Sequence, residues 1–147
     1  MQAARSDVAS DLNSVAVHLV RLARTVDRQL GVPPGQLSAL SVLVFGGERT
    51  IAELASVEQV RSPTMTRIVD GLERASLAER LPHPRDRRAT VVRATTKGQR
   101  VMERGRRNRV DVIASLLNRM SEEDLAAVHQ ATVVLARALH TYETVAT

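Results

Sequence analysis

Cysteine is absent from the 147-residue chain, which removes disulfides, thiolate nucleophiles, cysteine-ligated zinc and thiol-based peroxide sensing together. Aromatic residues are nearly absent as well, Phe45 and Tyr142 being the only two. Single-stranded RNA is normally held by stacking its bases on such rings, so their scarcity argues against that partner. The longest apolar-rich run, Leu37 to Phe45, is too short to span a bilayer. The N-terminus carries Arg5, Asp7 and Asp11 with no apolar core of signal-peptide length. A soluble, cytoplasmic protein with no membrane partner is therefore expected. A Gly-rich phosphate loop, G-x-S-x-G and H-E-x-x-H are all missing, so the chain is expected to be no enzyme and to need no cofactor. Histidines are few and offer no close pair. His129 and His140 share a helix face and His18 sits on the first helix, but without H-x-x-x-H spacing they read as surface or interface residues, and no metal is expected.

Lysine is scarce too, 20 of the 21 basic residues being Arg. The planar guanidinium fork fits phosphates and guanine edges better than a point charge does, although a GC-rich genome also raises Arg content. Position is more informative than type. Residues 1–60 carry 5 basic and 6 acidic groups, net −1; residues 61–109 carry 14 against 5, net +9; residues 110–147 carry 2 against 5, net −3. A basic middle between mildly acidic ends is the footprint of a polyanion-binding surface. The length suits one domain, or one compact domain with appended helices.

Hydrophobic spacing reads helical nearly throughout. Val8, Leu12, Val15, Leu19, Leu22, Val26 and Leu30 form one stripe, ended by Gly31 and Pro33-Pro34. Leu37, Leu40, Leu43 and Val44 mark a second helix running to Gly46-Gly47, and "TIAE" from Thr50 to Glu53 is a capping box opening a third. "RSPT" opens a fourth, with Ser62 expected as its cap and Pro63 at its first helical position. There Met65, Ile68, Val69 and Leu72 share one face, leaving Thr66, Arg67, Asp70 and Arg74 on the other. After Leu77 the period becomes alternating, and two short strands around Ala78 to Pro82 and Thr90 to Arg93 predict a hairpin. "TTKGQ", with Thr96 and Gln99 spaced as a capping box, restarts a helix expected to reach about Met120. "SEED" at Ser121 caps a last one, in which Leu125, Val128, Thr132, Leu135, Leu139 and Tyr142 form a seam that needs a partner helix.

Helices three and four stand close enough for a helix-turn-helix, with the hairpin following as a wing. Ala55, Gln59-Val60 and Met65 to Ile68 place small and apolar residues where two helices must cross, with Gln59 where the turn usually carries Gly. The hairpin tip is "HPRDRRATVVRAT", in which Pro84 stiffens the approach and Asp86 can orient a guanidinium among Arg85, Arg87 and Arg88. An arginine on a rigid hairpin suits a narrow minor groove, whose negative potential is concentrated. Ser62, Thr64, Thr66 and Arg67 occupy the first turns of helix four, where side chains address bases and phosphates. Arg67 is the best base reader, a phosphate clamp being the equal alternative. Arg100, Arg104 and Arg107 share a face of the fifth helix and either flank phosphates or pair with acids of a neighbouring helix.

The stretch from Thr50 to Gly98 resembles the MarR family of bacterial winged-helix transcriptional regulators, above all in the Asp-x-Arg tip of Asp86 and Arg88 and in Thr95-x-x-Gly98. The resemblance covers nearly the whole chain. It implies a mainly α fold with a small β-hairpin wing: a winged helix-turn-helix DNA-binding domain over residues 33–98, and helical dimerisation regions over 1–32 and 99–147. It further implies a homodimer with helix four in the major groove, Arg88 as the wing arginine, and a regulator of double-stranded DNA, a repressor more often than an activator. A small aromatic or phenolic effector near the junction of the dimer helices and the DNA-binding lobe is also implied, with His18 and Arg21 its candidate anion partners. Ser76 departs from the family pattern where a Gly commonly follows helix four. An RNA-binding or protein-interaction adaptor on the same scaffold is the rival; the adaptor would not need Arg87 and Arg88.

Overall fold

Proline and glycine set the first boundaries. In the computed structural model, which describes residues 2–84 and 89–145, α1 (Gln2–Asp27) passes into a 3-10 turn (Arg28–Leu30) closed by Gly31 at φ 70. Pro33 and Pro34 then open α2 (Pro34–Gly46), where a missing N–H leaves no helical bond unmade. A two-residue strand β1 (Arg49–Thr50) leads into α3 (Ile51–Val57). The reciprocal capping box read at Thr50 and Glu53 is present: the Glu53 carboxylate accepts the Thr50 amide at 2.7 Å, and the Thr50 hydroxyl accepts the Glu53 amide at 3.2 Å. The Thr50 backbone bond, then the hydroxyl bond, hold the Glu53 carboxyl below its ordinary value.

Helix α4 (Ser62–Arg74) follows after four residues, then β2 (Ala78–Pro82) and β3 (Thr90–Ala94) in antiparallel register, with Glu79 opposite Arg93 and Arg80 opposite Val92. β1 adds itself to the far side of β3, giving the order β1-β3-β2. This third strand was not expected. Helices α5 (Thr96–Leu117) and α6 (Glu122–Val145) complete the chain, the second capped by Ser121, whose hydroxyl accepts the Asp124 amide at 3.1 Å. α5 ends three residues short of the expected Met120.

Two expected caps are displaced by one residue. The cap of α4 is Arg61, in extended conformation and making no side-chain capping bond; Ser62 is already helical, and Pro63 takes the second position rather than the first. At α5 the capping hydroxyl belongs to Thr95, not Thr96. It accepts the Gly98 amide at 3.1 Å while donating to the Ser76 carbonyl at 2.7 Å.

Both helices of the helix-turn-helix end alike. After α3, Gln59 N–H donates to Ser56 and Val60 N–H to Ala55; after α4, Ser76 N–H donates to Glu73 and Leu77 N–H to Leu72. These are the paired bonds of a Schellman motif, which needs a left-handed residue, and Gln59 and Ser76 supply it at φ 53 and 58. A side chain there costs about 1 kcal/mol relative to Gly. Ser76→Gly is therefore expected to stabilise the fold by about 1 kcal/mol, read as a rise of roughly 2–4 °C in melting temperature.

The chain divides into two compact units, Met1–Arg109 and Val110–Thr147. The first holds the core, where Leu40, Leu54, Met65, Val69, Leu72 and Val92 are fully buried. Met65, Val69 and Leu72 come from one face of α4, as its spacing implied. Of the first apolar stripe only Val26 of α1 and Leu30 of the following 3-10 turn are buried, while Val8, Leu12, Val15 and Leu19 lie open. In the second unit Val110, Ile113, Leu116, Leu125, Val128, Leu135, Leu139 and Tyr142 are likewise exposed.

Candidate nucleic-acid interface

A helix that reads DNA must be fixed on one side and bare on the other, and α4 meets both conditions. Its inner face lies in the core, and its outer side presents Arg61, Ser62, Thr64 and Arg67 to solvent. No side chain caps its N-terminus, so the positive end of the helix dipole lies on this side, although Pro63 has no N–H and the Thr64 amide donates to the Arg61 carbonyl at 2.9 Å. Thr66 differs from the other expected readers: it is half-buried, and its hydroxyl donates to the Ser62 carbonyl at 3.0 Å. Among the described residues Arg61, Arg67 and Arg74 form no ion pair.

Asp70 does not join that outer set. Arg80 of β2 reaches back and donates to Asp70 Oδ1 at 2.8 Å and to the Glu73 carboxylate, whose other oxygen accepts the Arg80 backbone N–H at 3.1 Å. The side chains of Arg80 and Glu73 are about a third exposed, at 29% and 30%, so solvent screens part of the attraction. The arrangement is chiefly geometric: one guanidinium spans an i, i+3 pair of acids and ties the root of the hairpin to α4. Across the strands Arg93 pairs with Glu79 at 2.8 Å, which raises the Arg93 pKa further. Arg80 and Arg93 therefore drop out of the cations counted toward a polyanion.

The junction into α5 is equally tied. Lys97 Nζ donates to the Ala75 carbonyl at 2.7 Å, satisfying the end of α4, and the Thr95 amide donates to Leu77 O at 3.0 Å. Gly98 lies so close that a Cβ would stand 2.2 Å from the Leu77 carbonyl oxygen. The wing residues Arg85, Asp86, Arg87 and Arg88 lie outside the described residues. Their flanks are ordered as a hairpin requires, with His83 N–H donating to Ala89 O at 3.0 Å.

His18 and Arg21 are exposed on α1, the His18 Nδ1 lying 2.8 Å from the Ser14 carbonyl. Neither lines the cleft of about 780 Å³ that opens beside the end of α1, where Arg24, Asp27, Arg28, Leu37, Met102 and Arg109 meet. There Arg109 donates to Asp27 at 2.5 Å, a pair 82 residues apart that sequence spacing could not suggest. Among the described residues no group of three or more His, Asp or Glu is placed to hold a metal ion, and no helix is long and apolar enough to cross a membrane.

A sequence model of the MarR family matches residues 32–90. The chain is similar to the HTH-type transcriptional regulator MT0903.1 of Mycobacterium tuberculosis, at 36% identity over 80% of this chain and 84% of the relative. It is also similar to the HTH-type transcriptional repressor MdtR of Bacillus subtilis, at 30% identity over 77% and 73% of the two chains. Among solved structures, transcriptional regulator Tm0710 from Thermotoga maritima superposes with a TM-score of 0.82 at 26% identity, covering 90% of this chain and 94% of that one.

Proposed function

The chain belongs to the MarR family of DNA-binding transcriptional regulators, and from that premise we propose that it works as a homodimeric repressor gripping a pseudo-palindromic duplex with half-sites about one helical turn apart. The observation that carries the reading is the two-sidedness of α4, with Met65, Val69 and Leu72 buried while Arg61, Ser62, Thr64 and Arg67 stand free. In this reading Arg67 reads base edges or clamps phosphate in the major groove, and Ser62 and Thr64 address the backbone beside it. Thr66 holds the first turn together. The wing delivers Arg88, oriented by Asp86 and flanked by Arg85 and Arg87, to the neighbouring minor groove.

Residues 33–98 form the DNA-binding part, and residues 1–32 and 99–147 the dimerisation part. The exposed apolar residues of α1, the end of α5 and α6 support the second assignment, because a monomer in water rarely leaves so many uncovered. The repressive sense follows the name of the Bacillus subtilis relative. An aromatic or phenolic effector is assigned to the cleft at Arg24 and Arg28, where these cations and the apolar Leu37 and Met102 meet, in preference to His18 and Arg21.

A mobility-shift assay on the DNA flanking its own gene tests this, with Arg67→Ala and Arg88→Ala in parallel. Each variant is expected to bind at least about tenfold more weakly, at unchanged thermal stability, since a good bidentate base contact is worth about 1–3 kcal/mol. Equal retardation of all three proteins would remove both residues from the site.

A further inference from the structure

The outer face of α5 carries a row of arginines that the helix-turn-helix and wing do not use. Arg100, Arg104 and Arg107 follow at spacings of four and three, so they share one side of the helix and span about 10 Å of its axis. The opposite side is fixed inward by Gly98, Met102 and Gly105, all buried. Glu103 is the only acid of α5 before Asp111. It touches Arg106 and Arg107 at 3.9 and 3.8 Å, the long end of an ion pair, with these arginines 65% and 63% exposed. Among the described residues Arg100 and Arg104 meet no carboxylate.

The row is also continuous with α4. Arg74 ends the outer side of that helix, and Lys97, bonded to the Ala75 carbonyl, joins it to the start of the α5 row. A cationic ridge whose only carboxylate contact among the described residues is the long Glu103–Arg107 pair, running on from α4, complements the phosphates of the same class of polymer.

We propose that Arg100, Arg104 and Arg107 form a sequence-independent phosphate-binding ridge that engages duplex DNA beyond the two half-sites. The proposal rests on α4 being the reading helix. Each phosphate contact contributes about 0.9 to the slope of log affinity against log salt. Three arginines in each of two copies therefore predict a slope steeper by about 5 on an extended duplex.

The test compares the full chain with an Arg100→Gln, Arg104→Gln, Arg107→Gln triple variant. The probes are a duplex of about 20 base pairs from the DNA flanking its own gene and the same duplex lengthened by about 10 base pairs at each end. An Arg5→Gln, Arg119→Gln, Arg137→Gln variant removes the same charge elsewhere. Glutamine keeps helix propensity, and circular dichroism checks that each variant folds. The expected result is that lengthening the duplex steepens the slope for the wild type and the control, but not for the α5 variant. Equal slopes for wild type and α5 variant on the long duplex, or equal losses in both variants, would overturn the ridge while leaving the α4 reading intact. Wild-type protein that binds neither duplex would overturn both.

Discussion

Raising salt from about 50 to about 200 mM is expected to weaken binding to a duplex holding just the two half-sites roughly 10³–10⁵-fold. The size follows from which arginines are free. Of the 14 basic residues between 61 and 109, Arg80, Arg93 and Arg109 each hold a carboxylate within the fold. Among the described residues Arg61, at the cap of α4, and Arg67 and Arg74 within it do not, and in the proposed homodimer two copies would bring six such groups to the duplex before the wing arginines are added. Neutralising about 6–10 phosphates releases a matching number of counterions, and that release gives the steep dependence. Measured by fluorescence anisotropy across a salt series, a slope shallower than about 3 would mean that fewer than about four phosphates are met, too few for two copies of α4. Arg61→Gln should flatten the slope by about 2 in the dimer without altering which sequence is preferred, whereas Arg67→Ala should change both if Arg67 reads a base.

The parts of this surface legible in the sequence were those set by local periodicity. The inward face of α4, the reciprocal cap at Thr50 and Glu53, the cap at Ser121, and the change from helical to alternating period after Leu77 all depend on neighbours within a few residues. Gln59 and Ser76 could be named as departures because helix ends demand a left-handed residue at a fixed offset, and both are left-handed. What escaped the sequence depends on tertiary contact. β1 is two residues long, too short for any period to register. Asp70 looked like part of the free face because its partner, Arg80, arrives from a strand ten residues on; two acids at i and i+3 followed by a strand arginine were the signal available. The cap of α5 was misplaced at Thr96 because Thr95 and Thr96 are both capping residues, and only the Ser76 carbonyl at 2.7 Å chooses Thr95.

The second large effect concerns Gly98, where replacement by Val is expected to cost about 3 kcal/mol or more and to abolish DNA binding at ordinary growth temperature. A Cβ there would lie 2.2 Å from the Leu77 carbonyl oxygen and 3.0 Å from Leu40 Cδ1. Neither neighbour can give way cheaply. Leu77 O already accepts the Thr95 amide, Leu77 itself is buried as the last residue of the Schellman motif, and Leu40 is wholly inside the core. Relief would require α5 to move off the end of α4, breaking the Thr95 and Lys97 bonds to Ser76 and Ala75 and loosening the root of the wing with them. Gly71→Ala makes the discriminating control. Its Cβ would also meet an atom at 2.2 Å, but that atom is Nε2 of Gln36, the far end of a flexible side chain. Alanine gains about 1 kcal/mol of helix propensity over glycine within α4, so the Gln36 displacement is largely offset and the net change should stay within about 1 kcal/mol. Thermal melts of both variants therefore separate a backbone collision from a side-chain one. A Gly98→Val protein that melts like the wild type would show that the close approach of α5 to Leu77 and Leu40 is not what holds the hairpin in register with α4.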